Sequence, residues 1–395
     1  MKRNPTEFLR EEYNYLKENS LEWKLRVLEG PSAPRCVVDG KPVIMMCSNN
    51  YLNLSNHPKI IQASIDATRE LGAGSGSVRP IAGNMKIHEE VEKAVADFKG
   101  TESSLVYQTG FAANSGLIPQ LAGKGDIIIS DSLNHGSIID GVRLSPADRG
   151  IYEHQDIGQL EDVLRESDKK GYKKILVITD GVFSMDGDVA QADKIVALCE
   201  EYGAMSYFDD AHGEGVLGPK GEGIAAHFGI QGKIDVEIGT FSKAYGVVGG
   251  MVAGSEDLTK YAYNKSRTWL LSGSAPPGVA AAQLAAVQVL DQEPEHHKTL
   301  WENTDYFKKE LISMGFDTNN SVTPITPVMC GESKTAKEMS DGLYEHGVFA
   351  LPIVFPMVAQ GKARIRTIMN AGLTRQDLDD ALNAFEKVGK SLKII

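Results

Sequence analysis

The chain has 395 residues, 42% of them hydrophobic and 24% charged, with a net charge of −12 at pH 7; this suits one large globular core with a smaller appended unit, excludes a small module and disfavours nonspecific nucleic-acid binding. The four cysteines, Cys36, Cys47, Cys199 and Cys330, lack CxxC spacing, so neither a structural zinc site nor a disulfide framework is expected and a reduced, cytoplasmic setting is predicted. The charged stretch Glu7 to Glu18 is no signal region, and the longest apolar stretch, Val348 to Ala359, holds two prolines and is too short to cross a bilayer.

In chain order, Thr6 to Leu21 reads as an amphipathic helix, and Val37 to Met46, turning at Asp39-Gly40, reads as a hairpin. Apolar runs suited to buried parallel strands follow: Asp126 to Ile129, Ile175 to Thr179, Met205 to Phe208, Val236 to Ile238 and Gly250 to Ala253. Between them, Ile157 to Glu166 and Asp193 to Glu201 carry apolar residues at helical spacing. This alternation predicts an α/β fold with a mostly parallel central sheet covered on both faces. Alanine-rich Pro277 to Leu290 predicts a long connecting helix. The last third then reads as helix Thr299 to Met314, strand Ile325 to Met329, helix Ala336 to Glu345, strands near Phe349 to Val354 and Arg364 to Ile368, and a final helix Arg375 to Ile394. The expected units are an N-terminal helix and hairpin (1–47), a large domain (48–280) and an α+β C-terminal domain (281–395).

Polar residues fall where strand ends would gather, the usual place for a ligand in an open α/β sheet. Gln108 to Asn114 is a strand-to-helix junction whose first amides, at Gly110 and Phe111, suit a phosphate, although Gly110 would equally serve a tight turn. His135 follows a strand and could lie flat on an aromatic ligand or merely cap a helix. Thr179 to Asp188 carries a hydroxyl, Ser184, among carboxylates that lack calcium-loop spacing, so turn and capping duty is expected there and no metal. Asp209 and His212 end a buried run, and Lys243 is the only lysine in the small-residue loop Gly239 to Gly246. That pair is the equipment for holding pyridoxal phosphate as a Schiff base: an amine condenses with the aldehyde, and a carboxylate keeps the pyridine nitrogen protonated. Near the end, Arg364 and Arg366 share a strand face, so at least one can meet a substrate carboxylate with both oxygens.

Taken in order, Ser48-Asn49-Asn50-Tyr51-Leu52, Gly74 to Arg79, Ile81-Ala82-Gly83 with His88, Leu133 to Gly141, Thr179 to Asp188, Asp209 to Gly213 and Gly239 to Ala244 resemble the α-oxoamine synthase family from about residue 20 onward. The resemblance implies fold type I, homodimers with active sites at the interface, and joining of an amino acid to an acyl-CoA. It further implies that Lys243 binds pyridoxal phosphate and moves the substrate Cα proton, that Asp209 pairs with the ring nitrogen, and that His212 and Ser184 meet the ring oxygen. His135 would stack on the ring. Gly110, Phe111 and Thr240 would hold the phosphate with Ser274 reaching in from the partner subunit, while Asn50 and Arg366 would grip the amino-acid carboxylate.

Two departures stand out: Asn53 where the family has glycine, and Ala371-Gly372-Leu373-Thr374 where it has Ala-Ala-His-Thr. Phe355 to Val358, Gly361 to Thr367 and Gly389 to Leu392 are most similar to the glycine C-acetyltransferase branch (2-amino-3-ketobutyrate CoA ligase), which implies glycine and acetyl-CoA as substrates and a step of threonine breakdown. The 8-amino-7-oxononanoate synthase branch, a broad-specificity member, and a fold type I aminotransferase or lyase are the alternatives.

Overall fold

Ile127-Ile128-Ile129 and Ile175-Leu176-Val177-Ile178 are apolar without alternation, the pattern of strands buried on both faces. In the computed structural model, which describes residues 4–18 and 21–395, they lie within a seven-stranded sheet. Its strands are numbered along the chain: β1 (Ser103–Tyr107), β2 (Ile127–Asp131), β3 (Asp148–Tyr152), β4 (Ile175–Asp180), β5 (Met205–Asp209), β6 (Val236–Thr240) and β7 (Gly250–Gly254). The spatial order is β1-β7-β6-β5-β4-β2-β3. Neighbours from β6 to β3 are parallel, whereas β7 runs antiparallel to both β6 and β1. Gly250 to Ala253 was expected to be parallel, and this is a correction: only a nine-residue connection separates Thr240 from Gly250, too short for a crossover helix. Strand β3 has no expected counterpart because it is a sheet edge, largely exposed, with polar Asp148 and Arg149.

Successive strand residues point to opposite faces, and the core divides accordingly. Ile127, Ile129, Val177 and Phe208 pack with Leu160 and Ile195 on one face. Ile128, Leu176, Ile178 and Tyr207 pack with Leu117, Ile138 and Leu258 on the other.

The hairpin forms as expected, from Arg35–Val38 and Lys41–Met45, with Asp39 (φ 48°) and Gly40 (φ 75°) both left-handed, as a two-residue turn that follows the strand twist requires. Lys41–Met45 also pairs in parallel with Val348–Phe349, so the hairpin shares a sheet with the C-terminal part of the chain. A second sheet there orders Ile325–Gly331, Ala363–Ile368 and Leu351–Ile353, all antiparallel. Helix Pro277–Gln292 runs across the boundary drawn at 280/281 and passes into helix Glu295–Ser313. The N-terminal helix spans Glu7–Glu18 and buries none of its residues. Residues 19 and 20 of the expected span lie outside the described residues. Among those described, no helix is long and apolar enough to cross a membrane.

Beneath the carboxyl ends of the strands is a buried ionic cluster. Lys99 Nζ lies 2.5 Å from Glu214 and 2.9 Å from Glu237, with all three side chains at most 1% exposed. Burial alone would lower the ammonium's pKa, but Glu214, Glu237 and Asp210 outweigh it and hold the pKa well above the ordinary lysine value. The pairing ties helix Lys86–Lys99 to β6 and to the loop after β5. Lys99→Met leaves buried carboxylates without a counter-charge and is expected to destabilise the fold by about 3–5 kcal/mol. The urea-unfolding midpoint of the cofactor-loaded protein should fall, and adding Glu214→Gln should recover part of the loss.

Candidate active site

Because β2, β4, β5 and β6 are parallel, their carboxyl ends collect at one edge of the sheet. Registry does the rest: Asp180 at the end of β4 pairs with Asp209 at the end of β5, and Asp209 pairs with Ile238, two residues before Thr240. A cavity of about 220 Å³ opens there, lined by Gly110, Phe111, His135, Ser184, Asp209, His212, Thr240 and Lys243. Eight of the residues singled out in the sequence therefore meet in one place. A second cavity, about 360 Å³, holds Asn50, Ser55, Ser242 and Val247, and Lys243 lines both. A larger cavity, about 510 Å³ beside Lys174 and Asp235, lies at the amino ends of the strands and contains none of these groups.

The carboxylate is held by neutral donors. Asn114 Nδ2 donates to Asp209 Oδ2 (2.6 Å) and to Ser137 Oγ (2.9 Å), and Ala211 N–H donates to Asp209 Oδ1 (3.1 Å). Tyr207 O–H donates to Asn114 Oδ1 (2.7 Å), which fixes the amide's orientation. Asp180 accepts from His135 N–H (2.7 Å), while burial first and Asp209 second push its carboxyl pKa well above the usual range. Burial pushes the Lys243 amine down to about 8, with Asp209 and Asp180 acting the other way. Burial, then Lys243 and Arg366, holds His212 well below its ordinary value, and its Nδ1 bonds to the Tyr51 hydroxyl (2.7 Å). The site thus favours neutral imidazole and a partly neutral amine.

His135 caps a helix and also lines the cavity. Its Nδ1 accepts from Ser137 N–H (3.2 Å) and so caps helix Gly136–Arg143, leaving the proton on Nε2, while its ring lines the cavity. At the other end of the cavity, Thr109 caps helix Gly110–Leu121 by accepting from Ala112 N–H (3.0 Å). The amides of Gly110 and Phe111 remain as first-turn donors. The facing Gly250 of β7 has to be glycine, since a Cβ there would lie 2.6 Å from Gly110 N. Thr240 is present too, with its hydroxyl donating to Gly249 O (2.6 Å) and accepting from Ser242 N–H (3.1 Å).

Asn50 is buried, its amide donating to Ser55 Oγ (2.7 Å) and Ser32 O (3.3 Å). The two arginines share a face as predicted: Arg364 pairs with Asp186, and Arg366 Nη1 donates to Ser184 O (3.2 Å) at the cavity edge. Ser274 is not brought to this cavity; its N–H and hydroxyl both donate to Ser77 O, each at 3.1 Å. The departures from the family pattern explain one another. Asn53 has φ 59°, a left-handed conformation that asparagine tolerates better than most residues. A Cβ on Gly372 would fall 2.7 Å from Pro34 and collide with the Asn53 amide, so glycine at 372 makes room for asparagine at 53. Leu373, where the family has histidine, is buried.

Tyr51, Asn114 and Ser242 were missed as individual site residues. Their only sequence signal was membership of the quoted or neighbouring motifs. Taken together, first-turn amides at one end, a strand-end carboxylate at the other and a buried lysine between them form a donor set that fits pyridoxal phosphate.

The model of the family Aminotransferase class I and II matches residues 41–385. The chain is 53% identical to an 8-amino-7-oxononanoate synthase of Symbiobacterium thermophilum, with 99% of each chain covered. It is 49% identical to 8-amino-7-oxononanoate synthase 1 of Bacillus subtilis, covering 98% of this chain and 99% of that one. A solved serine palmitoyltransferase from S. paucimobilis with bound PLP and myriocin is 30% identical, with a TM-score of 0.92 over 99% of this chain and 98% of that chain. These likenesses overturn the expectation of a glycine C-acetyltransferase acting in threonine breakdown. The segments behind that expectation are short, and within one of them Arg364 is occupied in an ion pair with Asp186. The chain belongs to the class I and II aminotransferase family and, within it, to the pyridoxal-phosphate-dependent α-oxoamine synthases.

Proposed function

We propose that this chain is an 8-amino-7-oxononanoate synthase, condensing alanine with a pimeloyl thioester and releasing the thiol and carbon dioxide. The observation that most supports this reading is the 53% identity, over nearly all of both chains, to a protein of that name. The carbon count agrees with it: the pimeloyl group brings seven carbons, and alanine keeps two once its carboxylate leaves.

Pyridoxal phosphate, when bound, supplies an aldehyde for an amine and a ring that accepts the electron pair left at the substrate Cα. Lys243 would hold that carbonyl carbon and then move the Cα proton, and its depressed pKa raises the share of neutral amine that both tasks need. Asp209 would keep the ring nitrogen protonated, with Asn114 aiming its carboxylate. His135 would pack on the ring face. His212 and Ser184 would hold the ring oxygen, and Gly110, Phe111 and Thr240, which line the same cavity, would take the phosphate. Arg366 and Asn50 orient the amino-acid carboxylate, which selects the bond that breaks. Ser274 acts from a second copy of the chain. Support for a dimer comes from its place outside its own cavity and from exposed Ile81, Phe111, Leu133 and Leu271.

A panel of pimeloyl, acetyl and palmitoyl thioesters crossed with alanine, glycine and serine should give fastest thiol release with alanine and the pimeloyl thioester. Carboxyl-labelled alanine should lose its label as carbon dioxide in step with thiol. Preference for serine with palmitoyl-CoA, or retention of the label, would exclude this reading.

Lys243 also sets a pH dependence. Its pKa of about 8 lies below the ordinary 10.5, so the neutral amine is scarce at pH 7 and dominant at pH 9. Capture of pyridoxal phosphate by the apoprotein should therefore quicken about tenfold over that interval and then level off. Stopped-flow absorbance checks this, and Lys243→Ala should abolish both the rise and the borohydride-trapped adduct. Asp209→Asn should keep the fold and some cofactor while slowing exchange of the alanine α-proton by a factor on the order of a hundred or more. Near-normal exchange would remove Asp209 from that role.

A further inference from the structure

A group of side chains that could ligate a metal ion lies outside the catalytic cavity. His57 precedes helix Pro58–Leu71, and Glu293 and His296 sit where helix Pro277–Gln292 gives way to helix Glu295–Ser313. His57 Nε2 is 3.4 Å from Glu293 Oε2, and His296 Nε2 is 3.3 Å from the same oxygen. One donor atom from each residue lies within 4.8 Å of the other two. The imidazoles cross at 79° with centroids 5.6 Å apart, so they are not stacked face to face.

Zinc holds nitrogen and carboxylate oxygen at about 2.0–2.2 Å, so adjacent donors of a tetrahedral site stand about 3.3–3.5 Å apart. Two of the three donor separations already have that value. Lys59 Nζ takes the other carboxylate oxygen, Glu293 Oε1, at 2.6 Å. Oε2 is left facing both imidazoles. The side chains are only 12–24% exposed.

We propose that His57, Glu293 and His296 form a three-ligand site for a divalent transition ion of the zinc class, with a fourth position open to water. Two imidazoles and one carboxylate favour zinc, nickel or copper over magnesium or calcium. No metal was expected from the sequence. His57 lies 236 positions before Glu293, and the only local spacing is the short Glu-x-x-His of Glu293 and His296, which the sequence reading did not single out. The ion would clasp the joint between the two long helices to the loop that carries Asn50 and Ser55, two residues before His57. Binding there would stiffen the wall of the substrate cavity without touching Lys243.

The test uses tag-free, full-length, cofactor-loaded protein titrated with zinc chloride by calorimetry. One zinc per chain is expected at this site. Its affinity should fall at least tenfold in His57→Ala and His296→Ala, fall less in Glu293→Gln, and stay unchanged in His346→Ala, whose imidazole is exposed elsewhere. Zinc should raise the thermal midpoint of the parent and not of the two histidine variants. Cofactor absorbance and circular dichroism verify folding. If His57→Ala fails to fold, His296→Ala and the visible spectrum of cobalt bound to the parent, intense when tetrahedral, decide the matter. Equal zinc affinity in the parent and His296→Ala, or an octahedral cobalt spectrum, would overturn the site and leave an ordinary histidine–glutamate hydrogen-bond pair. The readout is binding, so it is independent of which acyl thioester the enzyme uses.

Discussion

Lys243 and Asp209 have to be buried together while their charges are managed separately. Burial drives the amine toward its neutral form, and Asp209 with Asp180 pulls it back, leaving it near 8. A more apolar pocket would lower that amine further, and a wetter one would return it to an inert ammonium. The surroundings follow from this balance. Asp209 is supported by the neutral donors Asn114 and Ala211, with no cation bonded to it that would compete for a ring nitrogen. The two imidazoles in the cavity are held toward neutrality, so they add little positive charge beside the lysine.

Geometry is supplied by the parallel sheet. Pairing Asp180 with Asp209 and Asp209 with Ile238 brings the ends of β4, β5 and β6 level, and each loop leaves from the same edge. The buried cluster of Lys99, Glu214 and Glu237 sits directly below and anchors the loop after β5 to helix Lys86–Lys99. Buried ion pairs of this kind contribute little net stability but penalise every arrangement that separates them. Through Glu214 they tie the loop carrying His212 to helix Lys86–Lys99.

Substrate-side residues come from distant parts of the chain. Asn50 stands in a loop braced by Ser55 and by Asn370, whose amide donates to Asn50 O at 2.5 Å. Arg366 approaches from the C-terminal sheet through Ser184. The Asn53 and Gly372 departures compensate each other, since a Cβ at position 372 would collide with the Asn53 amide. A zinc-class ion at His57 and Glu293 would act on the same loop from its other side.

Cofactor chemistry was legible in the sequence because it depends on residue types at strand ends, and strand ends are marked by where apolar runs stop. Asp209, His212, Lys243 and His135 could be assigned in that way, as could the hairpin turn at Asp39-Gly40, where local backbone preference decides the conformation. The antiparallel course of β7 and the exposed edge strand β3 were not legible, since sheet order and edge position arise from pairing between distant segments. Asn114 and Tyr51 escaped for the same reason: a buried amide or phenol acquires its role from the group it meets, here Asp209 and His212, and that meeting is tertiary. Branch identity escaped differently, because acyl preference is spread over many side chains around a cavity and was carried by no single motif. The chain by itself therefore determined the fold class and the cofactor. Only the folded arrangement decided the protonation of the site residues, their supports and the company of His57 with Glu293 and His296, because burial and proximity across 236 residues have no local signature.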